Sequence, residues 1–384
     1  MSLTPLSLYV HWPFCKKKCP YCDFNSHVRD HIEQGQWRDA LLAEMRFMAE
    51  LLGDDRQLVS IFFGGGTPSL MPPETVAAII NQAQILWTSL DDIEITLEAN
   101  PTSVEKDRFA DFRAAGINRV SLGIQALNDA DLQFLGREHS MREALSAIET
   151  AQQIFDRYSF DLICARPHQT AAAWEVELKH ALSYTAQHLS VYQLTIEPQT
   201  AFKTLYDRGD FSLPTDEVCA DIYDLTRDLL ADAGLQYYEI SNYAATGHEC
   251  RHNLTYWRYQ DYAGIGAGAH GRITVKGKKI ATRTHKAPEI WLQRVQSIGH
   301  ACHPFEEIHG KERGLEALMM GLRLKEGLPL SRLETESGLP FDHIIDPNRL
   351  DVLVKEGMLR IENQTLYPTD AALCRLDGVL RYLM

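Results

Sequence analysis

Three cysteines fall within one short stretch, Cys15-Lys16-Lys17-Lys18-Cys19-Pro20-Tyr21-Cys22. The C-x-x-x-C-x-x-C spacing lets a single loop aim three thiolates at one inorganic centre, and thiolate is the usual protein ligand of iron-sulfur clusters. A [4Fe-4S] cube held by three cysteines keeps one iron without a local protein ligand, which is an open coordination position. Zinc is the alternative, but structural zinc sites are closed by four ligands, and the nearby additions are His11, Asp23 and His27. Lys16 to Lys18 read either as a solvated loop face or as an offset to cluster charge. The other five cysteines, Cys164, Cys219, Cys250, Cys302 and Cys374, are scattered and read as inert thiols.

Further polar groups recur beyond short apolar runs. Phe63-Gly64-Gly65-Gly66-Thr67-Pro68-Ser69 brings three glycines, which permit close backbone approach to a ligand or simply a tight turn. It lacks the Gly-Lys-Ser/Thr ending of a phosphate loop. Glu98 ends another run and could accept hydrogen bonds from hydroxyls, while Gln125 and Arg137 offer an amide and a guanidinium able to hold a ribose and a carboxylate. Later, His252-Asn253-Leu254-Thr255-Tyr256-Trp257 joins an imidazole able to ligate iron to aromatic faces able to pack on a flat macrocycle. The competing reading is a packed, hydrogen-bonded histidine, and His248 and Cys250 are rival ligands. His300-Ala301-Cys302-His303 reads as a loop coincidence more readily than as a metal site. Gly264-Ile265-Gly266-Ala267-Gly268-Ala269-His270 imitates a dinucleotide fingerprint but is followed by a strand-like run, so it reads as a Gly-rich turn.

The elements that must position these residues follow from periodicity. Strands are expected at Leu6 to Trp12, Val59 to Phe63, Ile93 to Glu98, Arg119 to Gly123, Phe160 to Cys164 and Leu189 to Leu194, alternating with helical patterns near 34–52, 73–87, 103–115, 128–155 and 170–184. Six βα units suit an α/β fold with an open or partial barrel, in which ligands gather at the carboxyl ends of the strands. Residues 216–233 read as a helix and Leu235 to Ile240 as a further strand. After residue 300, helical patterns at 310–325 and 347–356 precede two short apolar runs near Leu359 and Leu366, the outline of a smaller, mainly helical, winged-helix-like domain. The expected division is 1–240 for the barrel, 241–300 for a haem-binding and connecting segment and 301–384 for the appendage.

At 384 residues the chain exceeds the usual single core. Its 45% apolar and 23% charged content is ordinary for a globular protein. A formal charge of -14 opposes nonspecific binding to nucleic acid or anionic lipid. No run suggests a membrane span or a signal peptide, so a cytoplasmic location is expected.

The cysteine loop, standing just after a strand that reads Leu8-Tyr9-Val10-His11-Trp12-Pro13-Phe14, resembles that of the radical S-adenosylmethionine superfamily. The resemblance implies that S-adenosylmethionine chelates the open iron, that Cys15, Cys19 and Cys22 hold the cluster, and that Gly65, Gly66 and Thr67 meet the methionyl end. The order of the set resembles the coproporphyrinogen-dehydrogenase-like branch, which adds Tyr9, Glu98, Gln125, Arg137 and Asp161 around the cofactor. One departure stands out. After Asp161-Leu162-Ile163 that branch usually places an aromatic residue and a glycine, whereas Cys164-Ala165-Arg166-Pro167-His168 stands here, which bears on the adenine end of the site.

Within the branch, Phe24 where the decarboxylating enzymes carry another cysteine, and the H-N-x-x-Y-W segment, resemble the haem-chaperone group. That implies haem held by His252, Asn253, Tyr256 and Trp257, no catalytic residues of its own, and delivery to an acceptor protein such as a membrane haem enzyme, which would bring the chain to the membrane periphery. A homodimer is left open, as is enzymatic activity. The alternative is an oxygen-independent coproporphyrinogen III oxidase, and a zinc-stabilised interaction protein is a third class.

Overall fold

The computed structural model describes residues 3–384. Six strands, β1 (Thr4–Trp12), β2 (Arg56–Gly65), β3 (Thr88–Ala99), β4 (Arg119–Gln125), β5 (Arg157–Cys164) and β6 (His188–Gln193), lie side by side in chain order and all run parallel. They form the middle of a twelve-stranded open sheet. Each strand alternates. Leu6, Leu8, Val10 and Trp12 of β1 are fully buried against the outer helices, as are Val120 and Leu122 of β4, while Ser7, Tyr9, Arg119 and Ser121 take the opposite, concave face. The period of two therefore separates an apolar helix-facing side from a polar interior, and that interior is what the loops at the carboxyl ends enclose.

Residues 241–300 extend the same sheet. Asp261–Ile265 pairs in parallel with β1, and the strands His270–Val275, Lys278–Arg283 and Glu306–Ile308 continue antiparallel beyond it. The strand Asp261–Ile265 was not foreseen, because Arg258 to Tyr262 reads as polar rather than apolar. The Gly-rich turn after it is present: Gly266 and Gly268 have φ of 99° and 88°, and a Cβ at Gly266 would stand 2.2 Å from the His11 carbonyl oxygen. At the other edge, Asn242–Ala244 pairs antiparallel with β6, and Gln236–Glu239 pairs antiparallel with Asn242–Ala244 to close the sheet.

The helix expected over 128–155 is broken into Asp129–Phe134 and Met141–Ile154. Gly136 ends the first with φ of 70°, and Ser140 starts the second with a capping box closed by Glu143. The break has a use, since the intervening loop carries Arg137. The pattern read as one helix over 103–115 likewise forms Ser103–Lys106 and Phe109–Ala114. Beyond the sheet, helices Gly310–Gly321, Leu330–Ser337, Pro347–Lys355 and Leu376–Leu383 surround a three-stranded sheet, with a separate core that includes Leu318, Leu333, Leu350 and Leu380.

Candidate cofactor site

A cavity of about 350 Å³ opens at the carboxyl ends of the parallel strands, the size that takes one small cofactor. Cys15, Cys19 and Cys22 stand on one wall, on the loop that leaves β1. Polar groups meet their sulfurs: Thr67 Oγ1 donates to Cys15 Sγ at 3.5 Å, and Arg137 donates to Cys19 Sγ at 3.4 Å. Burial raises the thiol pKa of Cys15 and Cys22, so both thiolates need a positive centre beside them.

The Gly-rich loop after β2 docks directly on the cysteine loop. Gly66 N–H donates to Trp12 O at 2.7 Å and Thr67 N–H to Phe14 O at 2.8 Å, while a Cβ at Gly66 would come within 2.6 Å of Phe14 O and 3.0 Å of Cys15 Sγ. Gly65, with φ of 112°, lies against His11. Close approach rather than turn chemistry alone thus requires these glycines.

Gly65, Gly66, Thr67, Glu98, Gln125, Arg137 and Asp161 all line the same cavity as the three cysteines. Tyr9 is the exception among the expected cofactor residues: it lies below, its hydroxyl 3.0 Å from His11 Nδ1. Asn100, Tyr21, Tyr192 and Gln193 line the cavity without having been singled out. Asn100 carried the clearest signal, since it follows Glu98 by two residues; it bonds Thr67 Oγ1 at 3.2 Å and accepts from Arg137.

Two of the carboxyls that line the cavity, Glu98 and Asp161, are hard to ionise. Burial, and then the charge of Asp161, raises the Glu98 pKa to about 8 against the pull of the Gly65 N–H; burial raises Asp161 to about 6 against Ser190, Arg119 and Ser121. Both face a desolvated polar chamber. Arg137 Nε is buried without a hydrogen-bond partner among the described residues. A three-thiolate cluster and a zwitterionic nucleoside cofactor fit this donor set: sulfur ligands on one wall, a guanidinium and an N–H-rich loop for anionic groups, carboxyls and amides for hydroxyls.

None of the residues of the departure after Asp161, Cys164 to His168, lines the cavity. Arg166 is turned into the scaffold, where it donates to Ile163 O at 2.7 Å and pairs with Asp131 at 2.9 Å and with Glu177. Ala165 adopts φ of 55°, the left-handed conformation in which a glycine is at ease.

The His252 segment forms the helix Arg251–Trp257, which packs into the concave face below the cavity. His252 is 1% exposed; its Nδ1 lies 2.9 Å from Ser60 Oγ, its Nε2 bonds the Tyr256 hydroxyl, and its ring stacks on Phe62. Asn253 donates to the Tyr238 hydroxyl at 3.3 Å, and Trp257 lies near Arg323. None of the four lines the cavity, so the structure brings the cofactor residues together and holds the haem motif apart from them. Cys250 is buried against Glu94. His300 stacks on Phe47 and His303 lies tilted against His285, and no group of three or more His, Cys, Asp or Glu among the described residues gathers as a cage for a single metal ion.

Residues 9–181 match the family model of the Radical SAM superfamily, and residues 308–374 match that of the HemN C-terminal domain. The chain is 39% identical to the "Heme chaperone HemW" of Haemophilus influenzae, over 94% of this chain and 93% of that protein. It is 38% identical to the "Radical S-adenosyl methionine domain-containing protein 1, mitochondrial" of Mus musculus, over 99% of this chain and 88% of the relative. The solved structure of coproporphyrinogen III oxidase (HemN) from Escherichia coli superposes with a TM-score of 0.83 at 24% identity, covering 100% of this chain and 90% of that one, a likeness of fold.

Proposed function

Because this chain belongs to the radical S-adenosylmethionine superfamily, in the group of the HemW haem chaperones, we propose that it binds haem and passes it to an acceptor protein. The superfamily carries a [4Fe-4S] cluster and S-adenosylmethionine, which supply reducing and radical chemistry when bound. The residues of this chain position and shield: Cys15, Cys19 and Cys22 present the thiolates, Arg137 and Thr67 hold charge on two of them, and Glu98, Gln125 and Asp161 offer partners for hydroxyls. The observation that carries the chaperone reading is full-length identity of 39% to a haem chaperone, whereas the coproporphyrinogen III oxidase shares the fold at 24%. Phe24 supports it, since it keeps the cysteine loop at three thiolates.

Haem iron is assigned to His252, with Asn253, Tyr256 and Trp257 as its supporting motif. That assignment asks the Tyr256 hydroxyl to leave Nε2, and the short helix to open, before iron can bind. We place the protein in the cytoplasm, meeting its acceptor at the membrane periphery; no helix among the described residues is long and apolar enough to cross a membrane. A homodimer is compatible with this role.

The deciding experiment gives anaerobically reconstituted protein reductant, S-adenosylmethionine and coproporphyrinogen III, beside a haem titration. Stoichiometric haem binding without vinyl product is expected. Product at enzyme-like turnover would defeat the chaperone reading, and an unchanged haem spectrum and affinity in His252→Ala would remove that residue from the site.

A further inference from the structure

His252 has a counterpart that the sequence does not mark. His188 opens β6 and is buried at the amino end of the parallel strands, the end opposite the cofactor cavity. Its Nδ1 lies 2.7 Å from Ser159 Oγ, and its Nε2 lies 3.0 Å from the Tyr238 hydroxyl. Asn253 donates to the same hydroxyl at 3.3 Å, so the tyrosine proton goes to His188 Nε2 and the imidazole proton stays on Nδ1, toward Ser159. Burial, ahead of the charges of Arg119, Arg157 and His248, pushes the His188 pKa well below its usual value and keeps the ring neutral. His252 repeats the arrangement, with Nδ1 at Ser60 and Nε2 at the Tyr256 hydroxyl. Each imidazole thus keeps its Nε2 lone pair under a tyrosine hydroxyl. The helix Arg251–Trp257 governs both covers, since Tyr256 stands on it and Tyr238 is held to it by Asn253.

We infer that His188 is the second axial ligand of the haem that His252 takes, so that the macrocycle is held between the lifted helix and the floor of the barrel. The inference rests on the haem-chaperone reading and on the assignment of His252. Lifting the helix withdraws Tyr256 from one Nε2 and Asn253 from the cover of the other, so one movement presents two imidazoles to one iron. His188 stays behind on the sheet, where it pairs with Ala244. The helix meets that floor through an apolar layer of its own, in which Tyr238, Ala244 and Cys250 pack with Phe62 and Leu254 apart from the main core. A flat macrocycle can replace such a layer and leave the main core covered. Charge at the edge fits as well. A narrow groove beside His188 is lined by Arg119 and Arg157, which open β4 and β5, against the exposed Asp156; Glu94, behind it, pairs with Arg157. Two guanidiniums at this opening suit the propionates of a haem whose ring lies inward. His248 lines the same groove and is the rival to His188. The asparagine of H-N-x-x-Y-W thereby gains a use: it ties the cover of one histidine to the helix that carries the other.

The test reads the coordination state of ferric haem on cluster-loaded protein, by absorbance and electron paramagnetic resonance. Wild type should be six-coordinate and low-spin. His252→Ala and His188→Ala should each turn to five-coordinate, high-spin haem, and added imidazole should restore the low-spin signal to His188→Ala. Melting of the haem-free variants is measured in parallel. If His188→Ala does not fold, His188→Met carries the test, and its spectrum should become that of a histidine-methionine pair. Five-coordinate haem in wild type would overturn the inference, and so would a wild-type spectrum in folded His188→Ala or His188→Met. A loss of the low-spin signal in His248→Ala rather than in the His188 variants would overturn it too. Protein that binds no haem at all defeats the chaperone reading, and a wild-type spectrum in His252→Ala defeats that assignment. Either result takes the inference with it, and neither can be mistaken for a result at His188.

Discussion

Gly66→Ala tests whether the two loops must touch for the cluster to be held. The added methyl would stand 2.6 Å from Phe14 O, 2.9 Å from Phe14 C and 3.0 Å from Cys15 Sγ. Two of these are backbone atoms, so no side chain can swing aside. Relief comes from parting the loops, which breaks the 2.8 Å bond from Thr67 N–H to Phe14 O and moves the Thr67 hydroxyl off Cys15. Overpacking costs about 1–3 kcal/mol and the lost bond about 1 kcal/mol. The docked arrangement is therefore disfavoured by about 2–4 kcal/mol, which is about 30- to 1000-fold in population. The assay is anaerobic reconstitution with iron counted per chain, followed by S-adenosylmethionine binding and by melting of the metal-free protein. Wild type should take up about four irons, and the variant a small fraction of that with a lowered melting temperature. Gly35→Ala is the control: it sits in the first turn of the helix Gln34–Leu52 with nothing within 4 Å of the new methyl, and it should gain up to about 1 kcal/mol with full iron. If Gly66→Ala loads iron and binds the cofactor like wild type, close loop contact is not what forms the site.

Arg137→Met removes the donor to Cys19 Sγ and leaves Asn100 Oδ1 without its partner; cofactor affinity should fall about 10- to 100-fold, as for the loss of a charged hydrogen bond, in calorimetry on cluster-loaded protein. Glu98→Gln should stabilise the cofactor-free protein increasingly as pH rises. A carboxyl whose folded pKa is raised to about 8 binds more protons folded than unfolded, so wild type loses stability from about pH 4.5 upward through pH 8, whereas glutamine does not; a gap in stability that is small at pH 5 and widens to about 4 kcal/mol at pH 8.5 is expected, and a constant gap would contradict the shift. Ala165→Gly should raise stability by about 0.5 kcal/mol in urea titration, because relief of the left-handed strain exceeds the entropy the glycine adds to the unfolded chain. Tyr256→Phe should speed haem binding at His252 by freeing Nε2, and an unchanged association rate would show that the hydroxyl is no barrier.

Much of the cofactor site is legible in the sequence because its signals are local. Cys15, Cys19 and Cys22 lie within one loop, and Gly65, Glu98, Gln125 and Asp161 lie in or beside runs whose alternation marks a half-polar strand. Arg137 was legible as a side chain but not as a loop residue, since the apolar periodicity runs on through Gly136 and only the capping box at Ser140 betrays the restart. Tyr192 gave no signal of its own: at the end of a strand an aromatic reads as core, yet it lines the cavity. The strand Asp261–Ile265 was hidden for the opposite reason. Asp261 looks like a loop residue until Arg56 and Lys279, far apart in the chain, pair with it in the buried interior.

His252 is the residue for which sequence and structure give the most different impressions, and the hydrogen-bond directions reconcile them. The Thr255 hydroxyl donates to Arg251 O at 3.0 Å, so toward Ser7 its oxygen can only accept. Ser7 therefore donates to Thr255 at 2.8 Å and must accept from Ser60 at 2.7 Å, which in turn accepts from His252 Nδ1 at 2.9 Å. Burial lowers the His252 pKa to about 3 and keeps the ring neutral. With the proton fixed on Nδ1, Nε2 holds the lone pair and receives the Tyr256 hydroxyl. An outer hydrogen bond that sets the tautomer is how proteins orient a histidine for a metal. The four-residue relay thus leaves Nε2, the nitrogen that the proposed haem assignment would use, bonded to the Tyr256 hydroxyl on the same seven-residue helix. Burial of the ring and its fixed tautomer are two results of one network, and on the proposed assignment iron binding requires that helix to move.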